Sequence, residues 1–188
     1  SSSLAVHNIS NIGLARTLAG CIFPVGLMMI VFVGGELFTG DCMMSMAWMQ
    51  RKIHFADMLR TLVLVYVSNF IGAALIAFLV AHSGEYDYSS GALGAYTIKV
   101  AYGKVHLSFA NALVSGILCN ILVCVAVLMA AAAKDIAGKV LAIFFPILAF
   151  VVSGFEHCVA NMYYIPAGIF ASKNAAYAAK ALELYNID

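Results

Sequence analysis

Ser153-Gly154-Phe155-Glu156-His157-Cys158-Val159-Ala160-Asn161 is the stretch whose reading decides the fold. It sits in the middle of Val140 to Ala171, an apolar run otherwise long enough to cross a bilayer as one helix. A helix needs about 20 apolar residues to span hydrocarbon. An ionisable group at the bilayer centre costs about 2.5–3.5 kcal/mol on insertion scales. The run therefore divides into two half-length pieces, and the link between them faces protein or a water-filled path, because unwound backbone is not tolerated against lipid.

A second stretch repeats the pattern. Gly34-Gly35-Glu36-Leu37-Phe38-Thr39-Gly40-Asp41 follows one apolar run and precedes the Met-rich stretch Cys42 to Met49. Its glycines, with Thr and Asp among them, predict unwound chain rather than continuous helix. Glu36 is followed five residues on by Asp41, and Glu156 by Asn161. Gly-interrupted apolar segments in the two halves of a chain point to an inverted repeat with its site at the interruptions.

The remaining composition agrees with a lipid exterior. The 188 residues are 64% apolar and only 10% charged, whereas a soluble domain carries about 25% charge. Leu18 to Gly35, Thr61 to Ala81 and Leu107 to Ala133 contain no charged side chain. One transmembrane domain over 1–188 is expected, with spans at about 18–48 (broken), 59–81, 107–133 and 140–170 (broken), and a polar, Ala-rich interfacial tail over 171–188. The segment from His82 to His106, rich in Gly, Ser and Tyr, reads as a long connection opposite the short links Gln50 to Phe55 and Lys134 to Lys139. Lysines and arginines divide equally between the two sides, but short loops weigh most, which places the two short links in the cytoplasm. A formal charge of +1 leaves no basic field for nucleic acid. Cys21, Cys42, Cys119, Cys124 and Cys158 show no metal-type spacing and read as packing thiols. No cofactor and no metal are expected.

Four motifs carry a resemblance. Glu-Leu-Phe-Thr-Gly at 36–40, Lys-Val-His at 104–106, Cys-Asn-Ile-Leu-Val-Cys at 119–124 and Gly-Phe-Glu-His-Cys-Val-Ala-Asn-Met-Tyr-Tyr-Ile-Pro at 154–166 resemble the formate/nitrite transporter family of anion channels, which includes the hydrosulfide channels. The resemblance runs from about Ile12 to Phe170. Family members have six spans, and this chain has material for the second to the fifth, so it resembles the core of the fold.

The resemblance implies an all-α integral membrane protein, an aquaporin-like helix bundle with inverted repeats and two interrupted transmembrane helices. It implies homopentamers in a bacterial inner membrane, each protomer passing small monovalent anions such as formate, nitrite or hydrosulfide. By match to the motifs, Leu27, Leu37 and Phe38 form the cytoplasmic-side constriction and Phe23 and Phe150 the outer one. Thr39 rides on a mobile loop at the first break. His157 faces the chamber between the constrictions, Lys104 lies on the outer vestibule floor near Asn161, and Asn120 lies near Glu156.

The physical chemistry of those residue types fits. An anion crosses an apolar ring only at high desolvation cost, and a buried imidazole can offer it a hydrogen bond or a proton. A nearby lysine enriches anions at the entrance. Glu156 needs an amide donor such as Asn120 to be stable at that depth. Two other functions make their own demands on the sequence. A neutral-solute pore of aquaporin type needs paired Asn-Pro-Ala boxes, and none is present. An intramembrane hydrolase needs a Gly-x-Ser-x-Gly or His-Glu-x-x-His motif, also absent, so no enzyme is expected. A non-conducting structural subunit is the remaining alternative.

Overall fold

Apolar runs this long leave the backbone no partners but its own, and the chain resolves them as helices. The structure is a computed structural model that describes residues 2–187. Eleven α-helices follow one another among the described residues: α1 (Ser2–Val6), α2 (Ile12–Ile22), α3 (Pro24–Val33), α4 (Phe38–Asp41), α5 (Met44–Met49), α6 (Phe55–Ala81), α7 (Ala92–Val105), α8 (Phe109–Ala132), α9 (Ile136–Ser153), α10 (Cys158–Ser172) and α11 (Ala175–Tyr185). Their starts are set locally. Asn11, Ser108 and Asp135 accept the backbone N–H of Leu14, Asn111 and Gly138 and so cap α2, α8 and α9. Pro24 enters at the first position of α3, where its missing N–H leaves no orphan, and α2 runs on into α3 through the helical Phe23.

Four stretches are long and apolar enough to cross a membrane: Ile12–Val33, Phe55–Ala81, Phe109–Ala132 and Ile136–Ser153. Their side chains face outward to a degree no soluble domain tolerates. Only 11% of the apolar window of α6 is buried, and Val63, Val67, Phe70, Ile71 and Leu75 all stand exposed on it. Such a surface is matched by hydrocarbon.

The interior is built from small residues. Ala126 and Ala130 on α8 meet Ala142 and Ile143 on α9, and Leu27 of α3, Val123, Ile147 and Phe150 complete one core. Stacked alanines let helices approach closely. A second cluster joins Tyr86, Leu93 and Ala171.

The segment 82–106 differs from the expected long connection. It forms a 3-10 turn at Glu85–Asp87 and then the fourteen-residue helix α7, which packs along α10 and α11. Its buried face is Ala92, Leu93, Gly94, Ala95, Thr97 and Ala101. Gly168 of α10 lies so close that a Cβ there would stand 2.2 Å from the Ala101 Cβ. The helix was illegible because its seam is made of small residues, not large apolar ones. Outside the spans, the Tyr177 hydroxyl donates to Asp87 at 2.5 Å, and that carboxylate holds the phenol above its usual range.

Candidate functional site

The two breaks have the same backbone. After α3, Gly34 turns left-handed at φ +77°, and the N–H groups of Gly34 and Gly35 both donate to the Ile30 carbonyl at 2.9 Å. After α9, Gly154 does the same at φ +75°, with the Phe155 N–H donating to the Phe150 carbonyl at 3.1 Å. Only glycine takes that φ without strain. Three residues beyond each glycine comes an extended residue, Leu37 (φ −126°) or His157 (φ −111°), and from it a new helix starts.

The first turns of those helices meet. Thr39 on α4 and His157 at the head of α10 are among the few buried polar side chains, at 4% and 8% exposure, and Thr39 Oγ1 lies 3.2 Å from His157 Nε2. Thr39 is thus the second residue of a helix rather than part of a loop. The Ala160 N–H donates to His157 Nδ1 at 3.0 Å. An acceptor at Nδ1 leaves the ring proton on Nε2, so Nε2–H donates to the threonine oxygen. The threonine proton stays available to another acceptor.

Aromatic and aliphatic side chains surround this pair. The His157 ring stacks on Phe150 with centroids 5.8 Å apart, and Phe23 meets Phe150 edge-on at 5.5 Å. A cavity of about 520 Å³ is lined by Phe23, Leu27, Leu37, Phe150 and His157, with Tyr163 and Tyr164 of α10. Phe38 is not on this cavity. Its ring packs edge-on against Tyr66 of α6 at 5.1 Å, and it lines a groove on the α8 side together with Thr39, Asn120 and Glu156.

Lys104, at the end of α7, is tied down. Its Nζ donates to both Glu156 oxygens at 2.6 and 2.8 Å. The amide that serves Glu156 is Asn161, whose Nδ2 donates to Oε2 at 2.9 Å. Asn120, the expected donor, leaves its Oδ1 buried without a partner. The reason is register: Asn161 sits five residues beyond Glu156, and the turn into α10 folds its amide back over the carboxylate. Lys104 lines a cavity of about 140 Å³ with His157 and Asn161, and Glu156 lines the groove on the other side.

Comparison with known proteins decides what this arrangement belongs to. The family model described as formate/nitrite transporter matches residues 1–186. The chain belongs to the formate/nitrite transporter family. It is 44% identical over 162 residues to the formate channel BtFdhC of Bacillus thuringiensis, covering 84% of this chain and 61% of that protein. It is 39% identical over 160 residues to the formate channel FocA of Haemophilus influenzae, covering 85% and 56%. Among solved structures it is similar to a pentameric formate channel with formate bound, at TM-score 0.83 and 27% identity, over 99% of this chain and 78% of that one. The chain spans about three fifths of the length of the first of these relatives. The fold is therefore the all-α, aquaporin-like membrane fold of formate/nitrite transporters, a family of transporters rather than enzymes.

Two contacts at the site fall on residues that the motifs do not contain. The guanidinium of Arg16, on α2, lies over Gly154 at the carboxyl end of α9, about 3.1 Å from where a Cβ would stand, where a cation complements the helix dipole. Asn69, on α6, holds the backbone of the first break. Both belong to helices, and nothing in their own sequence neighbourhood marks them.

Proposed function

We propose that this chain forms the core of a transmembrane pathway for small monovalent anions, formate first among them, with nitrite and hydrosulfide as the other substrates to rank. The observation that carries the proposal is the Thr39–His157 hydrogen bond, which joins the two breaks between apolar walls and leaves the threonine proton free for an arriving acceptor. Leu27 and Leu37, with Phe38 behind them, form the constriction on one side of that point, and Phe23 and Phe150 the one on the other. An anion stripped of water by these walls is met by the free proton of the Thr39 hydroxyl and, where it displaces the threonine oxygen, by His157 Nε2–H. A donor fixed in a dry site acts more strongly than in water, and the N-terminal end of α10 adds positive potential there. Lys104 lines the small cavity beside His157 and meets an arriving anion there, its charge partly offset by Glu156, which Asn161 also holds.

The imidazole works as a neutral donor. A second proton on Nδ1 has no room unless the Ala160 N–H gives up its bond, so an anion that crosses with a proton takes it from water and passes as the neutral acid. The assembly is a homopentamer in a bacterial inner membrane, a reading supported by the likeness to a pentameric formate channel.

The test is flux into proteoliposomes for formate, nitrite, hydrosulfide, chloride and glycerol over a pH series. Anions pass, glycerol does not, and the ranking of rates names the substrate. Passage of glycerol at the rate of formate, or of nothing at all, overturns the proposal.

A further inference from the structure

The first break is held from outside by a single side chain. Asn69 Oδ1 accepts the Phe38 N–H at 3.0 Å, and Asn69 Nδ2 donates to the Glu36 carbonyl at 3.1 Å. These two backbone groups flank Leu37, the extended residue that lines the central cavity. One helix turn earlier on the same face of α6, Tyr66 packs against the Phe38 ring.

The chemistry is specific. Extended chain at membrane depth has no helical partner for its N–H and C=O groups, and there is no water against hydrocarbon to supply one. Of the common side chains, only a carboxamide carries a donor and an acceptor spaced to satisfy two such groups at once, as a neighbouring strand would. Among the described residues the second break has no equivalent clamp: the Glu156 N–H goes to Ser115 Oγ, and His157 caps its own helix. Asn69 itself sits in a run with no charged residue and reads as one more helix position.

We infer that Asn69 is the positioning residue of the first break: its carboxamide fixes the Glu36–Phe38 backbone and thereby sets the width of the path at Leu37. The inference rests on the anion-pathway reading for the meaning of that width, but not for the clamp.

Two arms keep these separable. In hydrogen exchange on the chain in lipid nanodiscs, Asn69→Leu accelerates the Phe38 amide at least tenfold. Asn69→Asp, which keeps the acceptor and loses the donor, accelerates it less than threefold. The Glu156 amide serves as internal reference and does not change. Equal protection of Phe38 in the parent and Asn69→Leu, or loss of protection at both breaks together, overturns the clamp. In flux measurements, Asn69→Leu raises the rate of butyrate relative to formate at least fivefold. Protein that merely folds less well lowers both rates and leaves their ratio alone, so an unchanged ratio in a variant whose Phe38 amide has been released overturns the control of width. If the parent passes no anion, the pathway reading fails, and exchange at Phe38 still decides the clamp.

Discussion

The two breaks share a backbone and divide the chemistry. Each is a left-handed glycine, a two-residue crossing and a new helix head. At the first, the residue at the helix head is Leu37, the acid is the exposed Glu36 with no cation beside it among the described residues, and the backbone is held by Asn69. At the second, the helix head is His157, and the acid is Glu156, held by Lys104 and Asn161. One break supplies the wall and the other the donor. A duplicated backbone thus yields an asymmetric site through a handful of side chains, and substitutions at matched positions should separate what belongs to the shared shape from what belongs to one half.

The largest effect is expected at the ion pair. Its side chains are 23% and 13% exposed, and removing one partner strands the other charge at a depth where water is scarce. Lys104→Met should lower stability in detergent by about 3 kcal/mol, measured by thermal unfolding. The double change Lys104→Met with Glu156→Gln should recover most of that, because no charge is then left alone. Glu36→Gln at the first break should shift the midpoint by little. An equal loss from Glu36→Gln would mean the two acids are equivalent after all.

Next comes the helix head. His157→Leu makes the second break resemble the first and removes the Nε2–H donor, so anion flux per folded protein should fall on the order of thirtyfold, about 2 kcal/mol in barrier. The fold should survive with a cap's loss of about 1 kcal/mol. Undiminished flux would show that the apolar walls and helix ends suffice and that the threonine–histidine contact is packing.

The shared backbone makes a matched pair. Gly34→Ala and Gly154→Ala each force a Cβ into the left-handed region, at about 1–2 kcal/mol. The space around them differs: nothing lies within 4 Å of a Cβ at Gly34, whereas the Arg16 guanidinium lies 3.1 Å from one at Gly154. That guanidinium is the end of a flexible side chain and can step aside. Equal losses in urea or thermal melts would support the equivalence, and a much larger loss at either glycine would break it.

What was legible in the sequence follows the same division. The breaks stood out because glycine and an acid interrupt uncharged runs, a signal that needs no partner to be read. The helix α7 did not, since its buried seam of Ala, Gly and Thr carries no hydrophobic stripe. Pairings were harder still. Lys104 and Glu156 each carry a role that can be read alone, but their contact depends on α7 lying along α10. Asn69 serves backbone, which leaves no complementary residue in the sequence to point to it.

The smallest expected effect tests that last point most sharply. Chemistry alone asked for an amide beside Glu156, and Asn120 and Asn161 both qualified by type. Geometry gives the bond to Asn161 Nδ2, while the Oδ1 atoms of both amides are buried and unpaired. Removing a hydrogen bond to a charged group costs about 1.5–3 kcal/mol, while removing an unsatisfied buried acceptor relieves a desolvation penalty. Both changes remove such an acceptor, so Asn161→Leu should be less stable than Asn120→Leu by about 1.5–3 kcal/mol, and Asn120→Leu should stay within about 0.5 kcal/mol of the parent. A large loss from Asn120→Leu would return the amide role to α8 and would mean that Glu156 is held from both sides of the groove.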